Sequence, residues 1–176
     1  LSCADRAGIV WAVADALLAV DGNIVEQAQF SDPNSGLFCL RIELETDLDS
    51  VSEVRAAVAG PLDRFSGHWR LRYTAVRPRV LVLASKFDHC LADLLYRWRS
   101  GQLPIDITLI ASNHLDCAVW ANRYDVPYVH LPVTPDTKAR QEAAILDLVT
   151  EHGIDLVVLA RYMQILSNDL CRQLEG

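Results

Sequence analysis

Cysteine is scarce in this sequence, and its spacing is unhelpful to anything that needs pairs. The five residues, Cys3, Cys39, Cys90, Cys117 and Cys171, are odd in number and scattered, and none stands in C-x-x-C spacing. Neither a disulfide framework nor a common zinc motif is indicated, and no metal ligand set is expected. Reduced thiols in a cytoplasmic protein are the expectation. Long apolar runs are also missing: nothing approaches the ~20 residues of a membrane span. Leu1-Ser2-Cys3-Ala4-Asp5 lacks the basic start and apolar middle of a secretory leader. Positive charge is in deficit, with a formal net charge of −7. That argues against non-specific nucleic-acid binding, while a small anion needs only a local patch. No internal repeat and no low-complexity segment is present.

What is there falls into two halves with different periods. Residues 36–45, GLFCLRIELE, alternate: Phe38, Leu40, Ile42 and Leu44 face one way, Arg41, Glu43 and Glu45 the other. This is a strand with one wet face, the antiparallel habit. WRLRYTAV, 69–76, alternates in the same way and predicts another strand. NIVEQAQF, 23–30, is a third, joined to the strand over 36–45 by the turn SDPNSG. Ile9, Val13, Ala16, Leu17 and Val20 give one helical stripe, and Val51, Val54, Val58 and Leu62 another. With a first strand ending at Leu1-Ser2-Cys3, residues 1–75 read as a βαββαβ ferredoxin-like α+β domain.

From residue 79 the strands become continuous apolar runs: VLVLA (80–84), ITLIA (107–111) and LVVLA (156–160), with the shorter PYVHL (127–131) between. Strands buried on both faces read this way, which predicts a parallel sheet between helices. The helical stripes are Leu91, Leu94, Leu95, Trp98; then Ala118, Ala121, Tyr124; then Ala144, Ile145, Leu148, Val149. Residues 79–176 are expected to form a doubly wound, Rossmann-like α/β domain. Its four strands end abruptly, as an incomplete sheet.

Ligands of open α/β sheets lie beyond the carboxyl ends of the strands, so four loops are candidates. SKFDHC (85–90) has no glycine, so a phosphate cradle of backbone N–H groups is not expected there. Asp88 can cap the following helix. His89 is either a structural residue or a ligand contact. SNHLD (112–116) carries Ser112, Asn113, His114 and Asp116. Residues so close on one turn seldom converge as a triad, and Asp116 is expected as a helix cap. PDTK (135–138) is another helix start, with Asp136 or Thr137 as cap. RYMQILS (161–167) stays apolar after a buried strand. It either packs under another element or lines an apolar pocket.

Taken together, SKFDHCLADLLYRWRSGQLP, SNH, VPYVHLPVTPDTK and DLVVLARYMQILS closely resemble formyltetrahydrofolate deformylases, over nearly the whole chain. The first half, with DRAGIV before a helix and GNIVEQAQF after it, resembles an ACT regulatory domain. The second resembles the formyltransferase fold of glycinamide ribonucleotide transformylases. The resemblance implies hydrolysis of 10-formyltetrahydrofolate to tetrahydrofolate and formate, in one-carbon and purine metabolism. Folate is then the substrate, and no cofactor is implied. Met163, Gln164, Ile165 and Leu166 correspond to the pterin-pocket segment, and His89 stands where the transferase holds its acceptor. The first domain is expected to bind a small amino acid near Asp5, Gly8, Ile9 and Asn23, and to pair with other copies.

The resemblance places the family's catalytic Asn, His and Asp downstream of these 176 residues. No residue here matches them, so the chain by itself is expected to be inactive. Two other readings compete. One is a regulatory amino-acid-binding module carrying an inactive α/β remnant. The other is a transformylase, which the missing glycine-rich loop disfavours.

Overall fold

The computed structural model describes residues 1–48 and 50–175. The chain divides into two compact units, Leu1–Val76 and Arg77–Gly176.

The first unit runs β1 (Ser2–Ala4), α1 (Ile9–Leu18), β2 (Asn23–Asp32), β3 (Leu37–Glu45) and α2 (Val51–Asp63). Its strands form an antiparallel sheet in the order β1-β3-β2. Phe38 and Leu40 of β3 are buried, as their alternation demands. They meet Ile9, Ala12, Val13, Ala16 and Leu17 from α1 and Val54, Val58 and Leu62 from α2 in one core. Gly8 begins α1 at φ 90°, a left-handed conformation that glycine adopts without steric cost. Ser50 caps α2, its hydroxyl accepting the N–H of Ser52 at 3.2 Å.

The strand expected over 69–76 is absent, which corrects the βαββαβ expectation to βαββα. Only His68 pairs, exchanging both backbone hydrogen bonds with Ser2. The bridge is antiparallel, so Trp69 comes opposite Leu1. Trp69 and Leu71 still pack on the core, but Tyr73 and Val76 are exposed.

The second unit alternates strand and helix: β4 (Arg79–Ala84), α3 (His89–Arg99), β5 (Asp106–Ser112), α4 (Ala118–Tyr124), β6 (Tyr128–His130), a 3₁₀ turn (Pro135–Thr137), α5 (Lys138–Glu151), β7 (Leu156–Ala160) and α6 (Asn168–Gln173). The sheet is parallel, in the order β6-β5-β4-β7. Val80, Val82 and Ala84 of the central β4 face α3 and α4, packing with Leu91, Leu95 and Ala121. Leu81 and Leu83 face the other way, onto Ile145 of α5 and Leu170 of α6. Burial on both faces explains the unbroken apolar run. Each such side chain contributes about 1.5–3 kcal/mol of hydrophobic stabilisation.

This order positions the site. From β4 the chain moves to one side, through β5 to β6, then returns to the other side as β7. The loops after β4 and β7 leave neighbouring strands at the carboxyl edge, the end where open α/β sheets bind their ligands.

Candidate functional site

One buried hydroxyl organises the carboxyl edge of the second unit. Ser85 ends the apolar run of β4 and is 2% exposed. Its Oγ donates to Asn113 Oδ1 at 2.7 Å and accepts the backbone N–H of Met163 at 3.0 Å. Its carbonyl accepts from Ser112 Oγ at 3.4 Å and Cys117 Sγ at 3.1 Å. The loops after β4, β5 and β7 are thus tied to one residue. Burial, aided by the charges of Asp88 and Asp116, pushes the Cys117 thiol above its ordinary range. It stays protonated and donates, and is no nucleophile.

The second loop holds no triad. Ser112 is buried, and its Oγ also accepts the N–H of His114 at 3.2 Å. His114 Nδ1 lies 4.0 Å from Asp116 Oδ2, with both side chains well exposed. The expectation that Asp116 caps a helix is corrected: α4 starts at Ala118, and Cys117 holds the cap position.

In the first loop Asp88 occupies the N-cap position of α3, but its side chain makes no cap bond. Its carboxylate accepts from Trp120 Nε1 at 2.7 Å instead. Lys86, Phe87 and His89 are exposed. His89 Nε2 lies 3.2 Å from Arg161 Nη1, and the Arg161 guanidinium sits 4.6 Å over the Phe87 ring. Arg161 follows β7 and has φ 55°, uncommon for a non-glycine residue. The β4 and β7 loops meet through this pair.

The fourth loop is anchored from beneath. Tyr162 is buried, and its hydroxyl donates to Gln141 Oε1 at 3.1 Å. Gln141 Nε2 in turn donates to the Leu131 carbonyl at 2.7 Å. Ser167 N–H donates to Glu142 Oε1 at 2.9 Å, and Ser167 caps α6. Leu166 packs on the core beside Tyr162. Met163 and Ile165 turn outward, 64% and 86% exposed. Met163 N–H is committed to Ser85. Among the described residues, the N–H groups of Gln164, Ile165 and Leu166 have no partner within the chain. The loop therefore offers an apolar surface edged by open backbone donors, which suits a flat heteroaromatic ring.

The third loop bears out Thr137 as the cap residue of α5, though its side chain makes no cap bond there. Thr134 begins the 3₁₀ turn in a capping box with Thr137, and Thr137 then stands at the cap position of α5.

In the first unit, Asp5, Gly8 and Asn23 are exposed. The side chain of Ile9 is 2% exposed and lies in the core, so only its backbone N–H can reach a ligand. Gly8 holds the cap position of α1.

Sequence reasoning overlooked Ser85, Arg161, Gln141 and Glu142. Gln141 shares a helix face with Ile145 and Leu148, at i, i+4 and i+7. A polar residue on that stripe was a readable signal. Arg161 left none, because its role depends on where the β7 loop falls in space. Among the described residues no group of three or more His, Cys, Asp or Glu side chains gathers as a metal site.

Comparison with known proteins places this geometry. Residues 78–176 match the family model described as formyl transferase. A formyltetrahydrofolate deformylase of Corynebacterium sp. (strain P-1) is 40% identical over 178 residues, covering 100% of this chain and 62% of the relative. The crystal structure of formyltetrahydrofolate deformylase from Burkholderia mallei superposes with a TM-score of 0.88 at 41% identity, over 99% of this chain and 62% of that one. Glycinamide ribonucleotide transformylase 1 from Geobacillus kaustophilus matches less well, with a TM-score of 0.53 at 26% identity over 57% of this chain and 55% of that chain. The chain spans about three-fifths of the length of the deformylases it matches. With its second unit matched from residue 78 to 176, the chain belongs to the formyl transferase family.

Proposed function

We propose that this chain is part of an enzyme that hydrolyses 10-formyltetrahydrofolate to tetrahydrofolate and formate. The observation that carries the proposal is the loop after β4. A phosphate-bearing acceptor needs bare backbone N–H groups there. This loop instead presents the side chains of Lys86, Phe87 and His89, with Arg161 folded over Phe87. Water is then the acceptor. The deformylase relatives, similar over the whole chain, support the same reading.

The pterin lies on the β7 loop, against Met163 and Ile165, and bonds to the open N–H groups of Gln164, Ile165 and Leu166. His89 borders the formyl end. Hydrolysis also needs a group that moves protons between the attacking water and the leaving nitrogen, and donors for the developing oxyanion. No side chain of this sequence is assigned those tasks. Folate is the substrate, and the proposal includes no resident cofactor.

The first unit is proposed as an ACT-type regulatory domain in a cytoplasmic homo-oligomer. A small amino acid would sit near Asp5, Gly8, the Ile9 N–H and Asn23. The edge strand β2 supports self-association, since it leaves Val25 and Phe30 55% and 64% exposed.

The test uses the natural polypeptide carrying these residues. Incubation with 10-formyltetrahydrofolate is expected to release formate and tetrahydrofolate in equal amounts. Formyl transfer to glycinamide ribonucleotide that outpaces formate release overturns the hydrolase reading. Light scattering over a concentration series is expected to give more than the monomer mass. Titration of small amino acids checks the effector site, and an Asp5→Ala variant is expected to lose binding.

A further inference from the structure

Arg161 is a cation held in place with no anion beside it. Among the described arginines only Arg41, Arg97 and Arg172 pair with a carboxylate, so what sets Arg161 apart is its two cross-loop contacts. Among the described residues no carboxylate lies within 4.0 Å of Arg161. Its neighbours are the Phe87 ring and the His89 imidazole. A guanidinium can only donate, so in this contact His89 Nε2 is the acceptor. The pair keeps a full positive charge, with most of the guanidinium N–H groups still open. Lys86 adds a second charge in the same loop. Asp88, which could neutralise them, is turned to Trp120. The Phe87 ring and the His89 imidazole hold the guanidinium between the loops after β4 and β7. All this occurs in a chain of net charge −7.

We propose that Arg161, braced by Phe87 and His89 and assisted by Lys86, is a carboxylate site, and that its ligand is the formate product. The inference rests on the hydrolase reading. In that reaction the water oxygen bonds to the formyl carbon and the C–N bond breaks. The leaving nitrogen takes one proton, and formic acid gives up the other to become a carboxylate. A planar guanidinium matches a carboxylate with two parallel hydrogen bonds, which a lysine alone cannot do. The site would draw the product away from the newly freed amine and oppose the reverse reaction. The glutamate tail of the folate carries the same chemical group, so the test separates the two sources.

The experiment follows the His89 ring signals by NMR in the natural polypeptide carrying these residues. Sodium formate is titrated in, with sodium chloride at matched ionic strength as control. The His89 signals are expected to shift saturably with formate and to ignore chloride. Arg161→Gln is expected to weaken the response about tenfold or more, since a charge-assisted pair is lost. Phe87→Leu, which loosens the guanidinium without removing it, is expected to weaken it less. It also serves if Arg161→Gln does not fold. In a parallel titration, 4-aminobenzoyl-glutamate stands in for the tail. Tighter binding of formate than of this compound supports the product assignment. The reverse order overturns that assignment in favour of the tail. An identical response to formate and chloride, or one unchanged in the folded Arg161→Gln chain, overturns the site altogether. Failure of the hydrolase reading would appear separately, as absent formate release from 10-formyltetrahydrofolate.

Discussion

Ser85 Oγ lies 3.0 Å from the backbone nitrogen of Met163, across 78 positions of sequence. The same hydroxyl donates to Asn113 at 2.7 Å. One donor and one acceptor on a single buried atom therefore set the distance between the β5 and β7 loops.

Removing that hydroxyl leaves two polar groups without a partner. Ser85→Ala is expected to cost about 1–3 kcal/mol of stability. The Met163 amide should also exchange with solvent faster, because its only acceptor is gone. Ser85→Thr retains the hydroxyl and should preserve slow exchange while paying for the added methyl. Hydrogen exchange read at Met163 checks this. Equal exchange in the wild type and Ser85→Ala would show that the loop is held by packing alone.

Beneath the β7 loop, Tyr162, Gln141 and the Leu131 carbonyl form a chain of two hydrogen bonds. Gln141→Leu strands both ends, the Tyr162 hydroxyl and the Leu131 carbonyl. Tyr162→Phe strands only the Gln141 oxygen. The first is expected to lower stability more than the second, each within about 1–3 kcal/mol per lost partner. The double variant Gln141→Leu with Tyr162→Phe should recover part of the loss, since the Tyr162 donor is then removed too. Urea unfolding of the four proteins measures it, and strict additivity would count against the chain.

Alkaline pH should act on the same buried groups. Burial raises the Cys117 thiol above its ordinary 9.0, and the Tyr162 and Tyr128 hydroxyls above 10.0. Each holds its proton more tightly folded than unfolded. Their contribution to stability is therefore complete below the unfolded values and is lost as pH rises through the folded ones. The unfolding midpoint should stay level up to about pH 8 and fall above about pH 9, steepening near pH 10. Cys117→Ala should reduce the first part of the fall but not abolish it, because burial also raises the Cys3 thiol. A midpoint independent of pH over that window would refute the assignment.

The second unit was legible because its physics is local. Val80 to Ala84 is apolar without interruption and is covered on both faces, as such a run implies. Leu156 to Ala160 is equally apolar but stands last in the strand order, and Leu156 and Leu159 are 47% and 48% exposed, which corrects the expectation of burial on both faces there. Leu91 and Leu95, a helical turn apart, both reach zero exposure as their spacing implied. The strand expected over 69–76 failed for a non-local reason. Alternation at Trp69 and Leu71 directs side chains correctly, since both pack on the core, but a strand also needs a paired neighbour, and only His68 is bridged, to Ser2. The apolar character of Tyr162 to Leu166 was visible, and so was its ambiguity. The structure answers both ways: Tyr162 and Leu166 pack inward, while Met163 and Ile165 face solvent. Arg161 and His89, 72 positions apart, could not be joined by any pattern along the chain.

The charge of the Arg161 site depends on a residue that does not touch it. Trp120 Nε1 holds the Asp88 carboxylate at 2.7 Å, on the α4 side of the loop. Trp120→Phe removes that donor and keeps an aromatic ring. Asp88, next to His89, is then free to turn toward the guanidinium and occupy the place of the ligand. Formate binding is expected to weaken about two- to fivefold, the scale of an exposed ion pair in competition. Asp88→Asn alone should leave binding equal or tighter, because one negative charge is gone. Combining Asp88→Asn with Trp120→Phe should therefore restore what Trp120→Phe lost. The three formate titrations distinguish this from simple loosening of the loop, in which the double variant binds no better than Trp120→Phe.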